Sequence, residues 1–170
     1  ASGFRLRMQA VRAKGYMVVT ANPLASEVGC RVLQSGGNAL DAAVAVQMVL
    51  GLVEPQSSGL GGGAFLLHYN APSGALRSYD GRETAPLSAR PEDLSLPDSD
   101  RQNLRAAFNA LRSRGSSVGV PGVLRMLEMA HRAHGHLPWA SLMQPAQAIA
   151  EQGFVVSPRL AQAVAQAHST

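Results

Sequence analysis

The sequence holds one cysteine, few aromatic residues and no apolar run long enough to cross a bilayer, and each shortage removes a class of function. Cys30 has no partner for an internal disulfide. It lies on the apolar face of a predicted helix, with no positive charge beside it except Arg31, and reads as a small buried side chain rather than a nucleophile. One cysteine leaves the redox compartment open. Aromatics make up 5% of the residues, too few for a platform on which bases could stack, so a net charge of +4 does not point to nucleic acid. The nearest approach to a basic cluster, Arg5, Arg7, Arg12 and Lys14, reads as an exposed arm over residues 1–14. The longest apolar stretch, Ala39 to Val53, is interrupted by Asp41 and Gln47, which marks a core helix and not a membrane span. No signal-peptide pattern opens the chain, which starts at Ala1 and so leaves room for an upstream segment.

What remains is a globular composition: 170 residues, 46% hydrophobic and 15% charged, enough for one domain with a core. Tyr16–Thr20 is a short β-branched run and reads as a strand. Asn22-Pro23 opens a helix from about Leu24 to Gln34, and Gly36-Gly37 ends it. Asn38 caps a second helix, Ala39 to about Val53, with Asp41 favouring its positive end. This helix is apolar nearly all round and is expected to be buried on most sides, with a sheet beneath the helix pair. Ala64–Tyr69 and Ala75–Asp80 flank Asn70-Ala71-Pro72-Ser73-Gly74, which predicts a β-hairpin whose first strand is covered on both faces. Residues 88–100 read as an excursion over the surface. Helices are expected over Leu104–Leu111, over Val123–Ala133 with Leu124, Leu127 and Met126 or Ala130 inward, over Ser141–Gln152, and after Pro158.

Candidate chemistry is sparse. Gly59-Leu60-Gly61-Gly62-Gly63 leads into a strand, whereas a phosphate loop or a dinucleotide fingerprint leads into a helix, so the run reads first as close backbone packing. His131, His134 and His136 have metal-like spacing, but Gly135 interrupts them and no Cys or Asp stands near; they read as exposed residues at a helix end. No cofactor is implied. There is no Gly-x-Ser-x-Gly elbow, and none of the three threonines, Thr20, Thr84 and Thr170, begins a chain where a free amine could serve as its base. One of 14 arginines stands apart by its setting. Arg82 leaves the predicted hairpin in Asp80-Gly81-Arg82-Glu83-Thr84-Ala85-Pro86, and its planar fork suits a small carboxylate. Taken alone, an exposed ion pair with Glu83 is the simpler reading. These residues by themselves describe an α/β domain with one candidate anion-binding arginine.

The ordered motifs Met17-Val18-Val19-Thr20, Pro23-Leu24-Ala25-Ser26, Gly36 to Ala45, Pro55 to Phe65 and Asp80 to Pro86 resemble the N-terminal region of γ-glutamyltranspeptidases, bacterial in type. The likeness continues more loosely through Gly119-Val120-Pro121-Gly122, Gln144-Pro145-Ala146 and Gly153-Phe154-Val155-Val156, and covers about Gly15 to Leu160. The resemblance implies an α+β fold, the αββα sandwich of N-terminal-nucleophile hydrolases. Residues 1–170 would then be a single partial domain from the start of the large subunit. It implies a precursor that cleaves itself, and a threonine at the head of the small subunit that attacks the γ-glutamyl amide of glutathione. The glutamyl group then passes to water, an amino acid or a peptide. It gives Arg82 the role of holding the α-carboxylate. The partners implied are the γ-glutamyl substrate, the rest of the large subunit and the small catalytic subunit; the location implied is periplasmic or secreted. The nucleophile lies outside these residues, so this chain alone is expected to be inactive. A cephalosporin acylase taking a glutaryl side chain is an alternative within the fold, and a non-catalytic binding module is one outside it.

Overall fold

The computed structural model of the protein describes residues 10–95 and 103–167. Two helices open it, α1 (Pro23–Gln34) and α2 (Ala39–Val53). The Asn22 side chain caps α1, accepting from Leu24 N–H at 3.0 Å. The same side chain donates to Glu54 Oε1 at 3.1 Å, so the start of α1 is tied to the end of α2. Gly36, at φ 91°, turns the chain out of α1 at a cost that only glycine avoids. Asn38 and Asp41 then form a reciprocal capping box at the head of α2.

α2 is the centre of the core. Val44, Ala45, Val49 and Val53 are buried on it, and α1, α4 and α5 pack round it. Each buried valine contributes about 1.5–3 kcal/mol relative to exposure, which is how a helix with no polar face is held in place. β1 (Ala64–Asn70) and β2 (Ala75–Gly81) form an antiparallel hairpin, with Ala64 opposite Gly81 and His68 opposite Arg77. After it come short 3₁₀ turns at 91–94 and 115–117, then α3 (Leu104–Arg112), α4 (Val123–His134), α5 (Trp139–Gln152) and α6 (Pro158–Ala167). α4 lies between α2 and the hairpin and is what joins the helices to the sheet. Arg159 of α6 reaches Glu54 Oε2 at 3.3 Å, closing the far end of α2.

Four expectations are corrected. Residues 16–20 form no strand: their β-branched side chains suit a sheet, but no strand pairs with them among the described residues, and Met17 and Val19 face solvent. β1 is covered on one face only. Leu66 and His68 turn toward α4, whereas Phe65 and Leu67 are 70% and 74% exposed. Leu124 points outward, and Met126, Leu127 and Ala130 make the inner stripe of α4. Of the three histidines expected to be exposed, His136 is, but His131 and His134 are not free on the surface. The His131 side chain is 12% exposed, with Nε2 lying 2.9 Å from Leu137 O and 3.3 Å from Asp41 Oδ1. The His134 ring stacks on His68, with centroids 4.1 Å apart, and its Nε2 lies 2.8 Å from Tyr79 Oη. Spacing along one helix could not reveal partners on α2 and on the hairpin. Of the N-terminal arm, residues 1–9 lie outside the described residues, as do 96–100 of the surface excursion.

The stacked pair makes the joint between α4 and the hairpin sensitive to acid. Burial, then His68, then Arg77 hold the His134 imidazole below its ordinary value of 6.5. Between the folded and the ordinary value the unfolded chain binds more protons. The stability present above about pH 6.5 is therefore lost as the pH falls through the folded value. His68 and Arg77 face the ring from the hairpin, together with Tyr79; Asn38 at the start of α2 donates to the His134 carbonyl. Thermal unfolding at about pH 7.5 and about pH 5 should show a smaller acid loss for His134→Gln than for the parent. Equal losses in the two proteins would remove His134 from the account.

Candidate functional site

Three short-range constraints place the backbone of Arg82. Asp80 Oδ1 accepts from Arg82 N–H at 2.9 Å, an Asx turn that ends β2. Two residues on, Thr84 and Val120 exchange N–H···O bonds of 3.3 and 2.8 Å, which pins the outgoing strand end to the segment before α4. The amides of Gly122 and Val123 both donate to Gly62 O at 3.2 Å, so the glycine run is tied to that same segment.

The glycine run serves close approach. None of Gly59, Gly61, Gly62 and Gly63 has a positive φ. A Cβ on Gly63 would stand 2.5 Å from Glu83 Oε2 and 2.7 Å from Gly81 O, and one on Gly119 would stand 2.9 Å from Glu83 Cβ. The Glu83 side chain is thus wedged between two glycine backbones, a fit that a larger residue would break. Glu83 Oε2 is buried without a hydrogen bond and lies 3.4 Å from Arg82 Nη1.

The Arg82 side chain is 70% exposed. An ion pair in that setting is worth at most about 1 kcal/mol. The pair is not a hydrogen bond, so the five N–H donors of the guanidinium have no hydrogen-bond partner among the described residues. The side chain borders an open cavity of about 470 Å³, with Thr84, Phe108 and Arg112 on its other sides. The pair with Glu83 suggested by the sequence exists, and Arg82 also lines a cavity. Nothing in the sequence marked the wall formed by α3, because Phe108 and Arg112 come to Arg82 through the fold of the intervening loop. Among the described residues no group of His, Cys, Asp or Glu could hold a metal ion, and no helix is long and apolar enough to cross a membrane. Cys30 is half-buried, less enclosed than its helix face suggested.

A family model described as Gamma-glutamyltranspeptidase matches residues 25–170. A glutathione hydrolase proenzyme of Bacillus subtilis (strain 168) is 42% identical over 151 residues, covering 89% of this chain and 25% of the relative. Among solved structures, a γ-glutamyltranspeptidase from Pseudomonas nitroreducens complexed with L-DON superposes with a TM-score of 0.81 at 30% identity, covering 93% of this chain and 45% of that one. A cephalosporin acylase from Bacillus halodurans superposes with a TM-score of 0.71 at 29% identity, covering 94% of this chain and 29% of that one. The chain thus spans about a quarter of the length of the curated relative.

Proposed function

The chain belongs to the γ-glutamyltranspeptidase family, and from that membership we propose that it supplies the donor-binding arginine of an enzyme that cleaves γ-glutamyl amides such as glutathione. The α+β fold expected from the resemblance is borne out, and the chain contributes one helical layer and one hairpin to the N-terminal-nucleophile hydrolase sandwich. The observation that carries the proposal is the free donor set of Arg82, held at the exit of β2 against a cavity. A guanidinium fork can take an α-carboxylate through two parallel hydrogen bonds, each charge-assisted. Its contribution is position. Holding the α-carboxylate fixes the γ-carbonyl relative to a nucleophile and turns an encounter into an intramolecular step.

The bond-breaking group is not among these residues. In this reading it is a threonine at the head of a small subunit, whose own amine is the base and which is released by self-cleavage of a precursor. The glutamyl group passes through an acyl-enzyme to water or to an amine. The partners are the remainder of the large subunit and the small subunit, and the enzyme works in the periplasm or outside the cell. The glutaryl acylase reading is not favoured, because the family model and the curated relative are of the glutathione type and the acylase superposes less closely.

The intact mass of the native protein, with N-terminal sequencing of each chain, tests this directly. We expect these residues within a larger chain, paired with a smaller one that begins with threonine. A 170-residue protein with no partner, or γ-glutamyl hydrolysis by this chain purified by itself, would contradict it.

A further inference from the structure

The cavity beside Arg82 holds more guanidiniums than one α-carboxylate uses. Arg90 and Arg112 line it as well, and neither has an ion pair among the described residues. Among the described residues it has two acids, Glu83 and Asp93, and both face the protein's own groups. Asp93 Oδ2 accepts from Arg90 N–H at 2.9 Å, and the Glu83 carboxylate is turned against the glycine backbones. Ser116 and Ser117 line the cavity too, but their hydroxyls donate to carbonyls of Asp93, Arg112 and Arg114. Among the described residues the charged groups still able to receive a ligand are the guanidiniums, and the half-exposed ring of Phe108 lines the same cavity. A volume of about 470 Å³ also suits a whole small-molecule ligand better than a single amino-acid side chain.

Resting on the reading of Arg82 given above, we propose that Arg112, aided by Arg90, binds a second carboxylate, carried by the leaving group of the γ-glutamyl donor. A γ-glutamyl group has one carboxylate free, which Arg82 takes, and an ammonium that further cations would repel. A second anion in this cavity therefore belongs on the far side of the scissile amide. The favoured donors are γ-glutamyl peptides that end in a free carboxylate, and γ-glutamyl amides with a neutral leaving group are disfavoured.

The test is a ratio measured in the complete enzyme: kcat/KM for γ-glutamylglycine divided by kcat/KM for γ-glutamylglycine amide. The parent ratio should be about ten, the size expected for a charge-assisted contact at a partly solvated site, and should shrink with added salt. Arg112→Gln should lower the ratio about fivefold, and Arg112→Lys, which keeps the charge, should retain more than half of it. A ratio near one in the parent, or one that stays within about twofold in Arg112→Gln and in the double variant with Arg90→Gln, overturns the subsite. Arg82→Lys is measured alongside. It should lower kcat/KM for both donors and leave the ratio in place. If it alters neither donor, the α-carboxylate reading fails, and the Arg112 ratio still decides the subsite separately.

Discussion

Replacing Arg82 by lysine in the complete enzyme is expected to raise KM for γ-glutamyl donors by about 100-fold while leaving self-cleavage nearly intact. The size follows from the bonds involved. A carboxylate held by two charge-assisted hydrogen bonds loses the planar fork and keeps a single ammonium contact, a loss of roughly 2–3 kcal/mol at about 1.4 kcal/mol per factor of ten. The effect should fall on KM more than on kcat, because the α-carboxylate is bound alike in the ground and transition states. Some loss in kcat is expected as well, since a looser substrate is less well aimed. Self-cleavage needs no bound donor, and Arg82 is exposed with a weak ion pair, so the fold does not depend on it. Steady-state kinetics on the variant, with gel analysis of precursor processing, checks both halves. An unchanged KM removes the clamp, and blocked processing would give Arg82 a structural role.

The second large effect is expected at Asp41. Its carboxylate is fully buried and accepts from Asn38 N–H at 2.9 Å, from His136 N–H at 3.1 Å and from Leu137 N–H at 3.4 Å, with His131 Nε2 at 3.3 Å. One side chain therefore ties the head of α2 to the turn between α4 and α5. Asp41→Ala strands those donors in a place that water does not reach, at a cost of about 3–5 kcal/mol. That is a large part of the total stability of an ordinary domain. Asp41→Asn keeps one acceptor oxygen and should cost less. Melting temperature and soluble yield read the order: parent, then Asn, then Ala. If Ala matches the parent, the staple does not hold the two elements together.

Asp41 also shows how far the sequence could be read. Its place in the first turn of α2 was legible, because Asn38 three residues before it makes a capping box from local spacing alone. Its ties to the turn after α4 were not, since they span 95 residues. The same division runs through the chain. The hairpin was legible from the Asn70–Gly74 turn and the two apolar runs, and Gly74 takes the positive φ, 66°, that such a turn needs. Residues 16–20 are a β-branched run with no strand paired to them among the described residues. Composition says that a segment would suit a sheet if paired, and the pairing is decided elsewhere. His131 and His134 looked like a solvated helix end because their partners, Asp41, His68 and Tyr79, belong to three other elements. For Arg82 the motif and the hairpin exit were visible, but the wall of its cavity was not. Phe108 and Arg112 reach it only because Thr84 bridges to Val120 and closes the long loop between them.

The measurement that bears most directly on the central claim is a four-way comparison in the complete enzyme. Parent and Arg82→Lys are each assayed with a γ-glutamyl anilide and with the matching 4-aminobutanoyl anilide, which lacks the α-carboxylate and is otherwise the same. If Arg82 holds that carboxylate, the parent prefers the γ-glutamyl donor strongly. The variant loses most of that preference, and its effect on the 4-aminobutanoyl donor is small. If the variant lowers kcat/KM for both donors by the same factor, Arg82 acts on something other than the α-carboxylate, and the clamp is wrong.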